Sequence, residues 1–314
     1  MPRKKKARQR NQKWCVRYYM VCLLDVMGQR EWLDAWKELP ASQKQEPEFV
    51  EAVQKTVGTI GQVRKVFRTF YEEVEKRYKS IASLPKPLRE DYKRVTSARI
   101  AILQFSDTLV FYAPVRGSKG EAYALPALHM IAACASTMPA LLSCGVPVRG
   151  ALHIGTGTIL AEGDFYGPAL AEVYEIESKT AGYPRVVISN ELTAFLLAME
   201  KQGGESAVEK INRSNAEQCV SFLCKDRDGH MILDFLGKDT HMQYEAARID
   251  PVAGCGEVDG SKIVHKAYSW VHAEVQRYQQ AGNHAVAGKY EKLLNYFKSR
   301  IHIWGVDSQE AHHE

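Results

Sequence analysis

Two lone aspartates interrupt the apolar runs of this chain, and they constrain its fold more than any other feature. Asp25 ends Val21-Cys22-Leu23-Leu24 and opens the tight segment Val26-Met27-Gly28-Gln29. Asp107 follows Ile102-Leu103-Gln104-Phe105-Ser106 and precedes Thr108-Leu109-Val110-Phe111-Tyr112. Runs of this composition read as buried strands, and a carboxylate where such a strand ends or turns is costly unless something offsets its charge. Two such strands side by side would build an oxygen-lined site for a hard divalent cation. Gly28 adds to this, because a glycine in a tight turn lets backbone carbonyls reach a metal and backbone amides reach a phosphate.

The remaining pattern gives these aspartates a scaffold. At 314 residues and 45% apolar content the chain can bury a substantial core. Residues 15–24 read as a strand and about 31–39 as a short helix. From 49 to 81, Phe49, Val53, Val57, Ile60, Val63, Phe67, Phe70 and Val74 recur at helical spacing, which predicts a long amphipathic helix, bent near Gly58 or Gly61. Pro85 and Pro87 interrupt it, and strands at 98–103 and 109–113 form a hairpin turning at Ser106-Asp107. An apolar helix at 122–143, a strand at 147–154, the Glu162-Gly163-Asp164 turn, a helix at 167–180 and a strand at 185–189 follow. Asn190 is expected to cap a helix running to Met199. Strands at 219–224 and 230–236 flank Asp226-Arg227-Asp228-Gly229, and helices at 261–279 and 285–301 close the chain. This order predicts the α+β class, a mixed sheet with helices on one face rather than a parallel doubly wound sheet. The expected organisation is a basic tail (1–12), one domain (13–260) with a helical insertion at about 41–90, and C-terminal helices (261–307) packed on it.

Composition excludes several classes. The net charge of +5 is concentrated in Pro2-Arg3-Lys4-Lys5-Lys6-Ala7-Arg8-Gln9-Arg10, which reads as a solvated, disordered extension, so no direct nucleic-acid partner is expected. The seven cysteines are scattered with no CxxC pair, which argues against a disulfide framework or a zinc site and fits a reducing cytoplasm. No stretch reaches the roughly 18 to 20 uninterrupted apolar residues of a membrane helix, and the N-terminus lacks a signal-peptide apolar block.

The two aspartates keep informative company in Arg149-Gly150-Ala151-Leu152-His153-Ile154-Gly155 and Gly163-Asp164-Phe165-Tyr166-Gly167. With these segments the chain resembles the class III nucleotide cyclases, the adenylate and guanylate cyclase homology domain, over about residues 15–236. The family's first metal strand reads roughly FxDIxGF, and Leu23-Leu24-Asp25-Val26-Met27-Gly28-Gln29 is similar to it. The resemblance implies Asp25 as a metal ligand and Val26 as a carbonyl donor. The second metal motif, roughly GDxxxA, is matched by Ser106-Asp107 with serine for glycine. The central strand, roughly RVGIHTG, is matched by residues 149–155, which keep Arg149, His153 and Gly155. His153 itself is expected to be a core histidine within its strand.

The departures bear on the substrate. Where a purine cyclase carries an Asn and, four residues on, a transition-state Arg, this chain aligns Ala171 and Glu175. Neither does those jobs, since Ala has no donor and Glu would repel charge developing on phosphorus. The lysine that adenylate cyclases place four residues before the second metal Asp is here Leu103. Retained metal carboxylates with altered base contacts resemble the bacterial pyrimidine cyclases of the Pycsar anti-phage defence systems. That likeness implies a ferredoxin-like βαββαβ core, a homodimer with composite active sites, two divalent metal ions (Mg²⁺ or Mn²⁺), and conversion of UTP, or alternatively CTP, to a 3′,5′-cyclic nucleotide and pyrophosphate. It also implies a separate effector that senses the product. Asp164 aligns with the family's base-edge carboxylate, and Met27, Gly28 and Gln29 with its phosphate-cradling backbone. Replacement charge for the missing Arg falls to Arg149, Lys179, Arg30 or Lys238. The alternatives are a purine cyclase with unusual base contacts, or a degenerate cyclase domain that binds without chemistry.

Overall fold

The computed structural model describes residues 15–78, 100–116, 121–160, 164–247 and 259–306. Its first strand, β1 (Arg17–Val26), is buried on both faces over most of its length. Met20, Cys22, Leu24 and Val26 join the larger core, and Tyr19, Val21 and Leu23 a smaller one on the opposite face. That two-sided burial is why the segment is continuously apolar rather than alternating.

Seven further strands assemble around it: β2 (Ala101–Phe105), β3 (Thr108–Pro114), β4 (Val148–Ile159), β5 (Phe165–Tyr166), β6 (Val186–Ile188), β7 (Leu223–Lys225) and β8 (Met231–Leu233). The sheet runs β2-β3-β1-β4-β6-β8-β7, with β5 attached to β4. Every pairing is antiparallel except β4 with β6, so the sheet is mixed and the class is α+β.

Helices lie on both faces, not on one as expected. α3 (Thr59–Tyr78) and α4 (Leu125–Leu142) cover the larger face, where Phe67 stacks on Phe111 at 3.8 Å between ring centroids. Every residue of α4 is buried, and Tyr244 donates a hydrogen bond to its Ser136 carbonyl. By length and composition α4 would suit a membrane span, yet here it is packed all round by protein. The opposite face carries α5 (Pro168–Thr180), because Tyr19, Val21, Leu23 and Ala151 also need cover and receive it from Phe165, Ala169 and Val173.

The short helix expected at about 31–39 is α1 (Gln29–Ala35), and the long amphipathic segment is α2 (Glu46–Val53) running through a π-helical turn at Gln54–Gly58 into α3. The irregularity expected near Gly58 or Gly61 is this π turn, where the Thr56 hydroxyl donates to the carbonyls of Ala52 and Val53. α6 (Asn190–Glu200) is capped by Ser189, whose hydroxyl accepts from the Leu192 amide, so Asn190 is its first residue rather than its cap. The first half of the strand expected at 219–224 is instead the end of a helix, α7 (Ala207–Ser221), which starts on a Ser206–Glu209 capping box. Only Leu223–Lys225 is extended. A further helix, α8 (Lys238–Glu245), precedes the C-terminal pair α9 (Gly260–Gln280) and α10 (His284–Arg300) and a closing 3-10 turn at Ile301–Trp304. Tyr268 and Phe297 of that pair and Trp304 of the closing turn belong to the same core as α3 and α4. The basic tail, Pro85 and Pro87, Cys255 and the Glu162-Gly163 part of the turn lie outside the described residues.

Gly150 sets how closely β1 and β4 approach. A Cβ there would collide with the Leu23 carbonyl oxygen and sit 2.8 Å from a Leu24 methyl. Gly150→Ala is therefore expected to destabilise the protein by roughly 2–3 kcal/mol, read as a lowered urea midpoint at unchanged slope. An unaltered midpoint would contradict this account of the strand spacing.

Candidate functional site

The register of β1 with its two neighbours brings the candidate residues together. Asp25 lies opposite Thr108 on β3 and opposite Arg149 on β4, with all three on the α5 side of the sheet. Thr108 Oγ1 donates to one Asp25 carboxylate oxygen at 3.0 Å, and Arg149 Nε donates to the other at 3.2 Å. Asp107 occupies the two-residue hairpin turn beside them, and its carbonyl accepts from the Val26 amide at 3.2 Å. Ser106, standing where the family resemblance expects glycine, has φ of 53°, the left-handed region in which a side chain costs about 1 kcal/mol. The backbone shape of a glycine turn is thus kept without the glycine.

Glu177, which the sequence reading missed, completes this cluster. On α5 the residues facing the sheet are Ala169, Val173 and Glu177, a four-residue spacing that puts a carboxylate at the end of an apolar stripe. Its Oε1 is 2.6 Å from Arg149 Nε, and its side chain is only 4% exposed. Even so, Oε1 accepts no hydrogen bond, because the Arg149 N–H is directed at Asp25. A charged residue at a helical apolar position is the signal that would have found it.

One guanidinium thus faces Asp25 and Glu177, and the Asp107 carboxylate is near enough to act on both. Burial raises the Asp25 carboxyl above the usual range, and Asp107 raises it further, against the lowering effects of Thr108 and Arg149. Burial pushes Glu177 up to about 7; Arg149 opposes the shift, and Asp25 and Asp107 add to it. Among the described residues no group of three or more His, Cys, Asp or Glu side chains is arranged to hold a metal ion. The donors available are the Asp25 and Asp107 carboxylates and backbone carbonyls at the end of β1. This oxygen-only set, with more carboxylate than cationic charge and an orphaned acceptor on Glu177, fits a hard divalent cation.

The other sequence-nominated residues distribute differently. Gly28 has φ of 79°, a conformation that favours glycine, and leads directly into α1. The Met27 amide donates to the Pro147 carbonyl at 2.9 Å, so it is already engaged. Lys179 is exposed and paired with Glu175 at 2.6 Å. Standing two residues from Glu177, it points about 200° around the helix, away from Asp25. Lys238 is on α8, which packs against α4 in the layer on the other side of the sheet. Arg30 is exposed on α1. Of the four cations nominated to replace the transition-state Arg, Arg149 is the one that contacts Asp25.

Asp164 does not join the site within one chain. It is exposed next to β5, which pairs with β4 at Thr158 and Ile159. Thr158 stands nine residues beyond Arg149 on β4, roughly 30 Å of extended strand. Ala171 and Glu175 lie on the exposed side of α5, and Leu103 is half-buried on β2.

His153 is a core histidine, fully buried in β4, with Nδ1 3.0 Å from the Ser189 hydroxyl. Burial lowers its pKa, while Glu172, 2.9 Å from Nε2, and Glu191 act in the opposite sense. A cavity of about 350 Å³ between α5, β6 and α6 borders Glu172, Lys179, Ser189 and Glu191, separate from the Asp25 cluster.

Glu177 gives the folded protein a distinctive acid response. Its pKa rises from an ordinary 4.5 to about 7, so between those values the folded state keeps a proton that the unfolded state has released. Stability is therefore expected to fall as pH rises from about 4.5 to 7. Glu177→Gln should flatten that slope and stabilise the metal-free protein above pH 7 by roughly 2 kcal/mol, measured by urea unfolding across the range. A variant with the same slope as the parent would rule this out.

Comparison with family models, with curated proteins and with solved structures gives no match for the chain.

Proposed function

We propose that this chain is a nucleotide cyclase of the class III type that turns a pyrimidine nucleoside triphosphate, UTP first and CTP as the alternative, into its 3′,5′-cyclic monophosphate and pyrophosphate. The observation that carries this reading is the register-locked group of Asp25, Asp107 and Arg149 at one end of the sheet. The order β2-β3-β1-β4, antiparallel throughout, with α1 to α3 between β1 and β2 and α4 between β3 and β4, supports it as the βαββαβ core that the sequence resemblance implies.

In this reading Asp25, Asp107 and the Val26 carbonyl hold two divalent cations, Mg²⁺ or Mn²⁺, which when bound neutralise the triphosphate and acidify the attacking hydroxyl. The bond formed joins O3′ to the α-phosphorus, and the bond broken releases pyrophosphate. Thr108 fixes one oxygen of Asp25 and so orients the carboxylate. Arg149 contributes positive charge beside the polyphosphate, and the left-handed Gly28 lets the backbone of the β1–α1 turn approach it.

A second copy of the chain would supply the base and ribose contacts. The placement of Asp164 beside β5, which pairs with β4 at Thr158 and Ile159 rather than near Arg149, favours this division of labour. Phe105 and Tyr174 are also exposed on the α5 side of the sheet, where a second copy would cover them. Six described cysteines are free, in keeping with a cytoplasmic enzyme, and its product would act on a separate effector in anti-phage signalling.

A degenerate, non-catalytic domain is the second reading. It is favoured by the Glu175–Lys179 pair standing where a purine enzyme keeps its transition-state Arg. The test is to incubate the purified protein with each of the four NTPs and Mn²⁺ or Mg²⁺ and to resolve the products by chromatography. Cyclic UMP and pyrophosphate are expected. Asp25→Asn and Asp107→Asn should each lower turnover at least about 100-fold while leaving the fold intact by circular dichroism. Turnover of ATP or GTP alone would replace the pyrimidine assignment, and absence of any product, or full activity in either variant, would overturn the enzymatic one.

A further inference from the structure

Resting on the metal-site reading above, we propose that Arg149 is a placeholder cation for the metal site and that Glu177 is the positioning residue that draws it aside when a divalent cation binds. Arg149 Nε lies between two carboxylates, 3.2 Å from Asp25 Oδ2 and 2.6 Å from Glu177 Oε1. Its N–H is aimed at Asp25, although the Glu177 oxygen is nearer. Glu177 Oε1 is therefore a buried acceptor with a donor within reach and no hydrogen bond from it, a costly arrangement unless the donor is needed elsewhere in this state. Thr108 holds the other Asp25 oxygen, so without metal the carboxylate has a partner at both oxygens.

A divalent cation at Asp25 would meet the guanidinium as a like charge. The nearest alternative partner is Glu177, fixed on a helix whose apolar stripe, Ala169 and Val173, anchors it to the sheet. A small rotation of the Arg149 side chain, toward an acceptor already in contact, satisfies Glu177 and releases Asp25 together. The buried carboxylate thus keeps Arg149 from competing with the metal, and its effect on the metal passes through Arg149 rather than through direct ligation.

The experiment measures Mn²⁺ binding to the full-length protein without nucleotide, by the loss of the free-ion electron paramagnetic resonance signal. It compares the parent with Glu177→Gln, Arg149→Gln, the double variant and Asp25→Asn. Glu177→Gln should weaken Mn²⁺ binding about tenfold, because Arg149 then stays on Asp25. In the Arg149→Gln background the same change should alter binding by less than about twofold, since no placeholder remains to be moved. Equal affinity for the parent and Glu177→Gln overturns the inference, and so does an equally weakened double variant, which would make Glu177 a metal ligand itself. A parent that binds no Mn²⁺, or Asp25→Asn that binds it as well as the parent does, overturns the metal site and the inference with it. Far-ultraviolet circular dichroism of each variant separates loss of binding from loss of fold.

Discussion

The molecule depends on β1 being enclosed from every side. β3 and β4 pair along its edges, α4 and α3 bury one face, and α5 buries the other. A strand so placed is shut off from water from Tyr19 to Leu24, so a carboxylate is tolerated only where the enclosure ends. Asp25 stands at that point, with Thr108 and Arg149 as the partners that the two neighbouring strands deliver to it. The candidate chemistry is a boundary condition of the core rather than an addition to its surface.

Electrostatics at this boundary is deliberately unbalanced. Arg149 cannot neutralise Asp25, Asp107 and Glu177 at once, and the raised pKa values of Asp25 and Glu177 reflect that shortage together with their burial. Two other cations of the described residues are paired with carboxylates. Arg185 is held by Asp226, Asp228 and the Thr180 carbonyl, which ties the β7–β8 turn to the sheet. Arg300 donates to Asp234, which also accepts from the Tyr296 hydroxyl. The contrast marks the Asp25 cluster as the place where positive charge is wanting.

Much of this was legible in the sequence because its signals are local. The Ser106-Asp107 turn between two apolar runs, the Gly28 turn and the helical spacing of the α3 segment all report short-range geometry, and the structure has each of them. What failed was long-range. Residues 219–224 are apolar enough to resemble a strand, but the Ser206–Glu209 capping box upstream starts a helix that runs through Ser221. Asp164 sits near Tyr166 and Gly167 in sequence, yet β4 is long enough to carry that turn to the far end of the sheet. Glu177 lies two residues beyond Glu175 and outside the motif positions Ala171 and Glu175. Its importance comes from helical phase, which Ala169 and Val173 disclose once they are known to be buried.

The register that joins Asp25 to Thr108 and Arg149 has a consequence for how such a chain can diverge. Successive side chains on a strand point to opposite faces, so one residue inserted into β4 before Arg149 or into β3 after Thr108 would send half of the cluster into the α3–α4 core. Loops of the helical segment between β1 and β2 impose no such phase on the site, and they can lengthen or shorten without moving Asp25 relative to its partners. Length changes in the connection between α1 and α2, residues 36–45, would leave the site intact, whereas an insertion or deletion within any of the three strands would take it apart. The ladder of hydrogen bonds acts as a reading frame for the site.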